Sequence, residues 1–124
     1  MLHEFNCRQD QMITEFSFGK IVVNGKTYKN DIKIVNGQVI SGWWRKNGHR
    51  VAVEDMTDVL EAEPEVVVIG KGSPGLLKST TSLREYLAIN HIQLIEKRTS
   101  KAIDVFNKLV QQGRKVAAGF HISC

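Results

Sequence analysis

The sequence predicts a mixed α/β fold: a central mixed β sheet with helices packed on it, and an N-terminal antiparallel β meander forming a further layer. Three observations carry this reading. Two Asn-Gly pairs punctuate the first half, the second half alternates short apolar runs with helix-period segments, and Lys115 to Ile122 is apolar almost throughout.

The first strand is expected around Glu15 to Phe18, where Phe16 and Phe18 alternate with Glu15 and Ser17. Asn24-Gly25 then joins Lys20-Val23 to Lys26-Lys29, and Asn36-Gly37 joins Ile32-Val35 to Gln38-Trp44. A type I′ turn needs positive φ at both central residues, and Asn and Gly reach it at least cost, so each pair marks a hairpin. Trp43 and Trp44 are neighbours on an extended stretch and must point to opposite faces, one into the core and one outward.

After Val51 the period changes. Glu54 and Asp55 open a short helix to about Ala62, since early acids suit the positive end of the helix dipole, and Pro64 follows its end. Val66 to Ile69 reads as a buried strand, Gly70 to Gly75 as a loop, Ser82 to Ala88 as a helix and Ile92 to Ile95 as another strand. From Thr99 onward, Ala102, Ile103, Phe106, Leu109 and Val110 fall on one face of a helix at ~100° per residue. Thr99 or Ser100 is expected to cap its start and Gly113 to close its end. The final run, with Val116, Ala117, Ala118, Gly119, Phe120 and Ile122, has the character of a central strand covered on both faces. Alternating strands and helices of this kind favour parallel pairing through right-handed crossovers.

With 124 residues, 42% hydrophobic and 24% charged, the chain has the size and composition of one globular domain, residues 1–124, with 1–11 as an N-terminal extension. No apolar run approaches the ~20 residues of a membrane span, and Met1 to Gln11 does not resemble a targeting peptide, so a cytoplasmic protein without membrane insertion is expected. Cys7 and Cys124 are too few for a disulfide framework and are expected as free thiols. The net charge of +4 is unevenly spread: seven Lys or Arg lie between Lys20 and Arg50 against the single Asp31, while Glu54 to Glu65 carries six acids and no base. Without a binding motif, the basic stretch argues for a solvated surface rather than nucleic-acid binding, and the opposed patches suit weak self-association.

Gly70-Lys71-Gly72-Ser73-Pro74-Gly75 fits the dinucleotide-binding pattern GxGxxG, with Glu96 placed near where a ribose acceptor would stand. The match is formal. Pro74 has no amide to donate, and Ser79-Thr80-Thr81 delays the helix that should begin in the loop. A smaller anion remains compatible with the amides of Gly72 and Ser73, helped by Lys71 and by Arg114 if the fold brings it near. Asn107 flanks the apolar stripe, where an amide more often binds a neighbouring backbone than a ligand. His121 and Cys124 have the wrong strand parity for a shared metal, and His3, His49 and His91 lack any ligand spacing, so no metal site is expected. No catalytic set and no cofactor emerge.

The pattern Thr99, Ala102, Phe106-Asn107, Leu109, Gly113-Arg114 and Val116-Ala117-Ala118, preceded by Val68-Ile69-Gly70-Lys71-Gly72, resembles a small family of unknown function over about residues 13–124. That family includes the adipogenesis-associated domain protein, the mitochondrial assembly factor 3 of respiratory complex I, and archaeal and bacterial stand-alone members, to which this chain looks closer. The resemblance implies a mixed sheet with helices on one side and a β layer plus helix on the other, and no established catalytic residues. Gly70, Gly72, Thr99, Asn107 and Arg114 match its pattern as site or scaffold residues. Two functions are therefore carried forward. The first is a non-enzymatic domain that contacts a protein partner, in assembly or otherwise. The second is a small-molecule or anion binder with its site at Gly70-Gly75, drawing on Lys71, Ser73, Thr99, Asn107 and Arg114.

Overall fold

The computed structural model describes residues 13–123. The expectations for residues 1–11, for His3 and for both cysteines lie outside them.

Strands β1 (Ile13–Ser17), β2 (Lys20–Val23) and β3 (Lys26–Tyr28) form an antiparallel three-stranded sheet. The β2–β3 turn has Asn24 at φ 52° and Gly25 at φ 83°. The second hairpin, β4 (Ile32–Val35) and β5 (Gln38–Ser41), turns at Asn36 and Gly37 with φ 50° and 77°. Both pairs adopt the left-handed backbone that made them hairpin signals.

The second hairpin leaves the small sheet and builds one side of the large one. After β6 (Arg50–Val51), a 3-10 turn (Val53–Asp55) and α1 (Thr57–Glu61) come β7 (Val66–Lys71), β8 (Lys78–Ser79), α2 (Thr81–Ile89), β9 (Gln93–Lys97), α3 (Thr99–Gln111) and β10 (Val116–His121). The central sheet has the order β5-β4-β10-β7-β9. β10 runs parallel to β7 and antiparallel to β4, so the sheet changes direction at its middle strand. Every residue of β10 is buried, as its apolar sequence required. β6 and β8 pair separately as a short parallel ladder.

Each face of the sheet has its own core. On one, Ile103, Phe106 and Val110 of α3 and Ile13, Ile21 and Val23 of the small sheet close over Val66, Val68, Val116, Ala118 and Phe120, with Leu109 packed at the margin. Phe106 meets Phe120 edge to face at 5.6 Å. On the other, Trp43, Val51, Met56, Leu77, Leu83 and Leu87 close over Val67, Ile69 and Ala117. Trp43 is 5% exposed and Trp44 76%, the opposite fates expected of them, although β5 ends at Ser41 and the chain bends at Gly42 (φ 71°), so the two lie beyond the strand expected to carry them. Trp43 lies directly on Gly119, where a Cβ would stand 2.6 Å from the ring.

Two local expectations change. Thr99 does not cap α3; Arg98 is the capping residue and contributes no side-chain bond, because the Thr99 hydroxyl is engaged elsewhere. The expected loop at Gly70 begins two residues late, since Gly70 and Lys71 continue β7 in register with Phe120 and His121. No helix among the described residues is long and apolar enough to cross a membrane.

Candidate functional site

The parallel register of β7 and β10 brings Gly70-Ser73 and His121-Ser123 side by side at the carboxyl ends of the two central strands, where open α/β sheets place ligands. Thr99, at the start of α3, locks this end. Its buried hydroxyl donates to the His121 carbonyl and accepts from the Gly72 amide at 2.8 Å. The Ser73 amide donates to the Ser123 carbonyl at 2.9 Å. Both amides considered for an anion are thus engaged within the chain. Close approach also explains the glycines. A Cβ on Gly70 would stand 2.8 Å from Phe120, and one on Gly72, whose φ is +92°, would fall 2.3 Å from the Ser123 carbonyl oxygen.

The other sequence-derived candidates are dispersed. Asn107 lies on α3 and binds the Ile13 backbone through both ends of its amide. Arg114 precedes β10 and so stands at the opposite end of the sheet from Gly72, with the six-residue length of the strand, roughly 20 Å at ~3.3 Å per residue, between them. Its Nε donates to Glu65 at 2.7 Å, and this bond, with that from the Lys115 amide, holds the Glu65 carboxyl below its ordinary value. Glu96 accepts from the amide and hydroxyl of Ser79, pinning β8. Only Gly70, Lys71, Gly72, Ser73 and Thr99 converge.

Beside them lies a cluster that sequence reasoning did not assemble. Asp31, just before β4, accepts from Arg45 Nη2 at 2.9 Å and from His121 Nδ1 at 2.8 Å on one oxygen, and from the Ile122 amide at 2.9 Å on the other. Burial opposes the charge on Asp31. The bonds from His121, the Ile122 amide and Arg45 outweigh it and hold the carboxyl below its ordinary value. Arg45 stacks 4.6 Å over the Trp43 ring, and its Nε and Nη2 donate to the Gly48 carbonyl. The only available signal was Asp31, the lone acid in a basic stretch. His121 entered as a weak metal ligand, and among the described residues no group of three His, Cys, Asp or Glu is placed to hold a metal.

An open cleft of ≈ 380 Å³ adjoins this cluster, lined by Gly19, Lys29, Asp31, Trp43, Trp44 and Ser123 among others. Gly19 donates to the Ile122 carbonyl at 2.6 Å, tying the small sheet to the end of β10 and fixing one wall. Phe18, beside Gly19, is 65% exposed.

Residues 13–121 match a family described as a protein of unknown function (DUF498/DUF598). Among solved structures, the chain is similar to the protein named MT938, with 29% identity, a TM-score of 0.76, and coverage of 91% of this chain and 98% of that one. It is similar to the conserved hypothetical protein PH1505 of Pyrococcus horikoshii OT3, with 22% identity, a TM-score of 0.78, and 92% and 100% coverage. A Bartonella henselae protein named an outer membrane protein shares the fold at 22% identity and a TM-score of 0.74, with 93% and 98% coverage.

Proposed function

As this chain belongs to the DUF498/DUF598 family of unknown function, we propose that it is a cytoplasmic, non-enzymatic binding domain that engages a protein partner at the carboxyl end of its central sheet. A role in assembling other proteins, implied by the resemblance to an assembly factor, is one form of such contact. The observation that supports this reading is Trp44, three-quarters exposed on the rim of the cleft, with Phe18 beside another lining residue. Large aromatic side chains left in water beside a concavity are the usual anchors of protein contacts. Lys29 in the lining adds positive charge, so the complementary segment is an apolar side chain flanked by acids. The glycine loop is less suited to an anion, because the amides of Gly72 and Ser73 already donate within the chain.

Photocrosslinking in cells tests the reading. A photoreactive residue at position 44 should give a discrete protein adduct that Phe18→Asp removes, while the same residue at the exposed Ile89 of α2 should not. Identical adducts from both positions, or none from position 44, overturn it. Sedimentation of the purified chain separates a second copy from a different partner.

A further inference from the structure

Between α1 and α2 the surface opens into two adjoining clefts of ≈ 440 and ≈ 280 Å³ that share Leu60, Glu63 and Tyr86. Together they form one groove, with apolar walls from Val53, Leu60 and Ile92 and with Glu61 and Glu63 in its lining. Among the described residues neither Glu61 nor Glu63 joins an ion pair, whereas Asp58 and Glu65, before and after them in the chain, are taken by Lys33 and Arg114. An apolar groove with unneutralised acids in its lining fits an apolar side chain bracketed by cations.

We propose that the occupant is a second copy of this chain, whose β7–β8 loop seats Leu76 in the groove and sets Lys71, Lys78 and Arg98 against Glu61 and Glu63. The loop has the required chemistry. Leu76 is 52% exposed, while its neighbour Leu77 is buried. The Leu77 amide donates back to the Lys71 carbonyl at 3.3 Å and the Ser73 amide to that of Ser123, so the loop is held as a preformed knob. Lys71 and Lys78 stand at its two bases, and the Arg98 side chain lies along it, 3.3 Å from where a Cβ on Gly75 would be. None of these three cations joins an ion pair among the described residues. The longer basic stretch from Lys20 to Arg50 is a poorer match, because Lys20, Lys33 and Arg45 within it already pair with Glu15, Asp58 and Asp31.

The two surfaces lie at opposite ends of the central sheet. Pro64 and Ile92 close the groove just before β7 and β9 begin, and Leu76 stands past the end of β7. The six residues of that strand, roughly 20 Å at ~3.3 Å per residue, lie between them. One copy therefore cannot fill its own groove, and the contact is head to tail: each copy offers a loop to the next and a groove to the one before. Growth continues past two copies until a ring closes. The groove shares no lining residue with the cleft at Trp44, so it neither requires nor excludes a partner there.

Sedimentation of the purified full chain, read beside variants at exposed positions, tests this. The unaltered chain should assemble beyond the dimer as its concentration rises toward the millimolar range, and raising ionic strength from about 0.05 M to about 0.5 M should reverse much of that assembly. Glu61→Lys with Glu63→Lys blocks the groove and Leu76→Asp blocks the loop, and each should weaken association at least about tenfold. Mixed together, these two should form a discrete dimer, because one keeps a working loop and the other a working groove. Lys78→Glu takes the place of Leu76→Asp if that variant does not fold. Trp44→Ala should change none of these results, which keeps the outcome separate from that of the partner reading. A photoadduct formed through the groove carries twice the chain mass and is untouched by Phe18→Asp, unlike the one expected at position 44. A chain that stays monomeric throughout, assembly that either blocked variant leaves intact, or a mixture that yields no dimer would each overturn the contact.

Discussion

Asn107 holds Ile13 as a neighbouring strand would: its Nδ2 donates to the Ile13 carbonyl at 2.7 Å, and its Oδ1 accepts from the Ile13 amide at 3.0 Å. One side chain on α3 thus satisfies both backbone groups at the start of β1. Asn107→Leu should leave that amide and carbonyl unpaired, costing about 1–3 kcal/mol. Amide hydrogen exchange of residues 13–17 should quicken more than that of β10. Uniform exchange across both strands would show that Asn107 does not anchor β1 locally.

Phe106 is fully buried against Phe120, between α3 and the middle strand. Phe106→Ala should lower stability by about 3–5 kcal/mol in denaturant unfolding. A loss below about 1 kcal/mol would mean that the site collapses around the missing ring.

Asp31 carries a pH signature. Its folded carboxyl titrates below the unfolded value of about 3.9, so between those two values the unfolded chain binds more protons. Its contribution is therefore present above that window and is lost as pH falls through it. Urea unfolding at a series of pH values should show this slope, and Asp31→Asn should reduce it. Asp31→Asn should also cost on the order of 3–5 kcal/mol near neutrality, because Arg45 is left buried without its counter-charge.

Gly119→Ala places a methyl group 2.6 Å from the Trp43 ring. The displaced indole should cost roughly 1–3 kcal/mol and change the near-ultraviolet circular dichroism. Trp44→Ala, at an exposed position, should alter stability by no more than about 0.5 kcal/mol, so its effect on partner capture is separable from folding.

Local chemistry was legible wherever one residue type answers one backbone demand. Asn24-Gly25 and Asn36-Gly37 had to turn, Phe106 had to face inward with Ile103 and Val110, and Trp43 and Trp44 had to part. Partner choice was not legible. Nothing in Ile32-Val35 says that it pairs with β10 instead of continuing the first sheet, because a backbone ladder carries no address. The Asp31-His121 pair was hidden for the same reason: its members lie 90 positions apart and meet only through that pairing. A hydroxyl near a helix start suggests a cap at Thr99 or Ser100, but a distant carbonyl and amide claim the Thr99 hydroxyl, and the cap position falls on Arg98.

Among the described residues, the strand at the centre of the large sheet comes last in chain order. During synthesis, the β4–β5 hairpin and the β7–β9 unit emerge first and face each other across a slot that β10 alone fills. Until Val116 to His121 leave the ribosome, both neighbours present open hydrogen-bonding edges, and assembly of the sheet is confined to the moments after that release. A ribosome stalled with those six residues still in the exit tunnel should hold two accessible half-sheets, and releasing them should protect both from protease in one step.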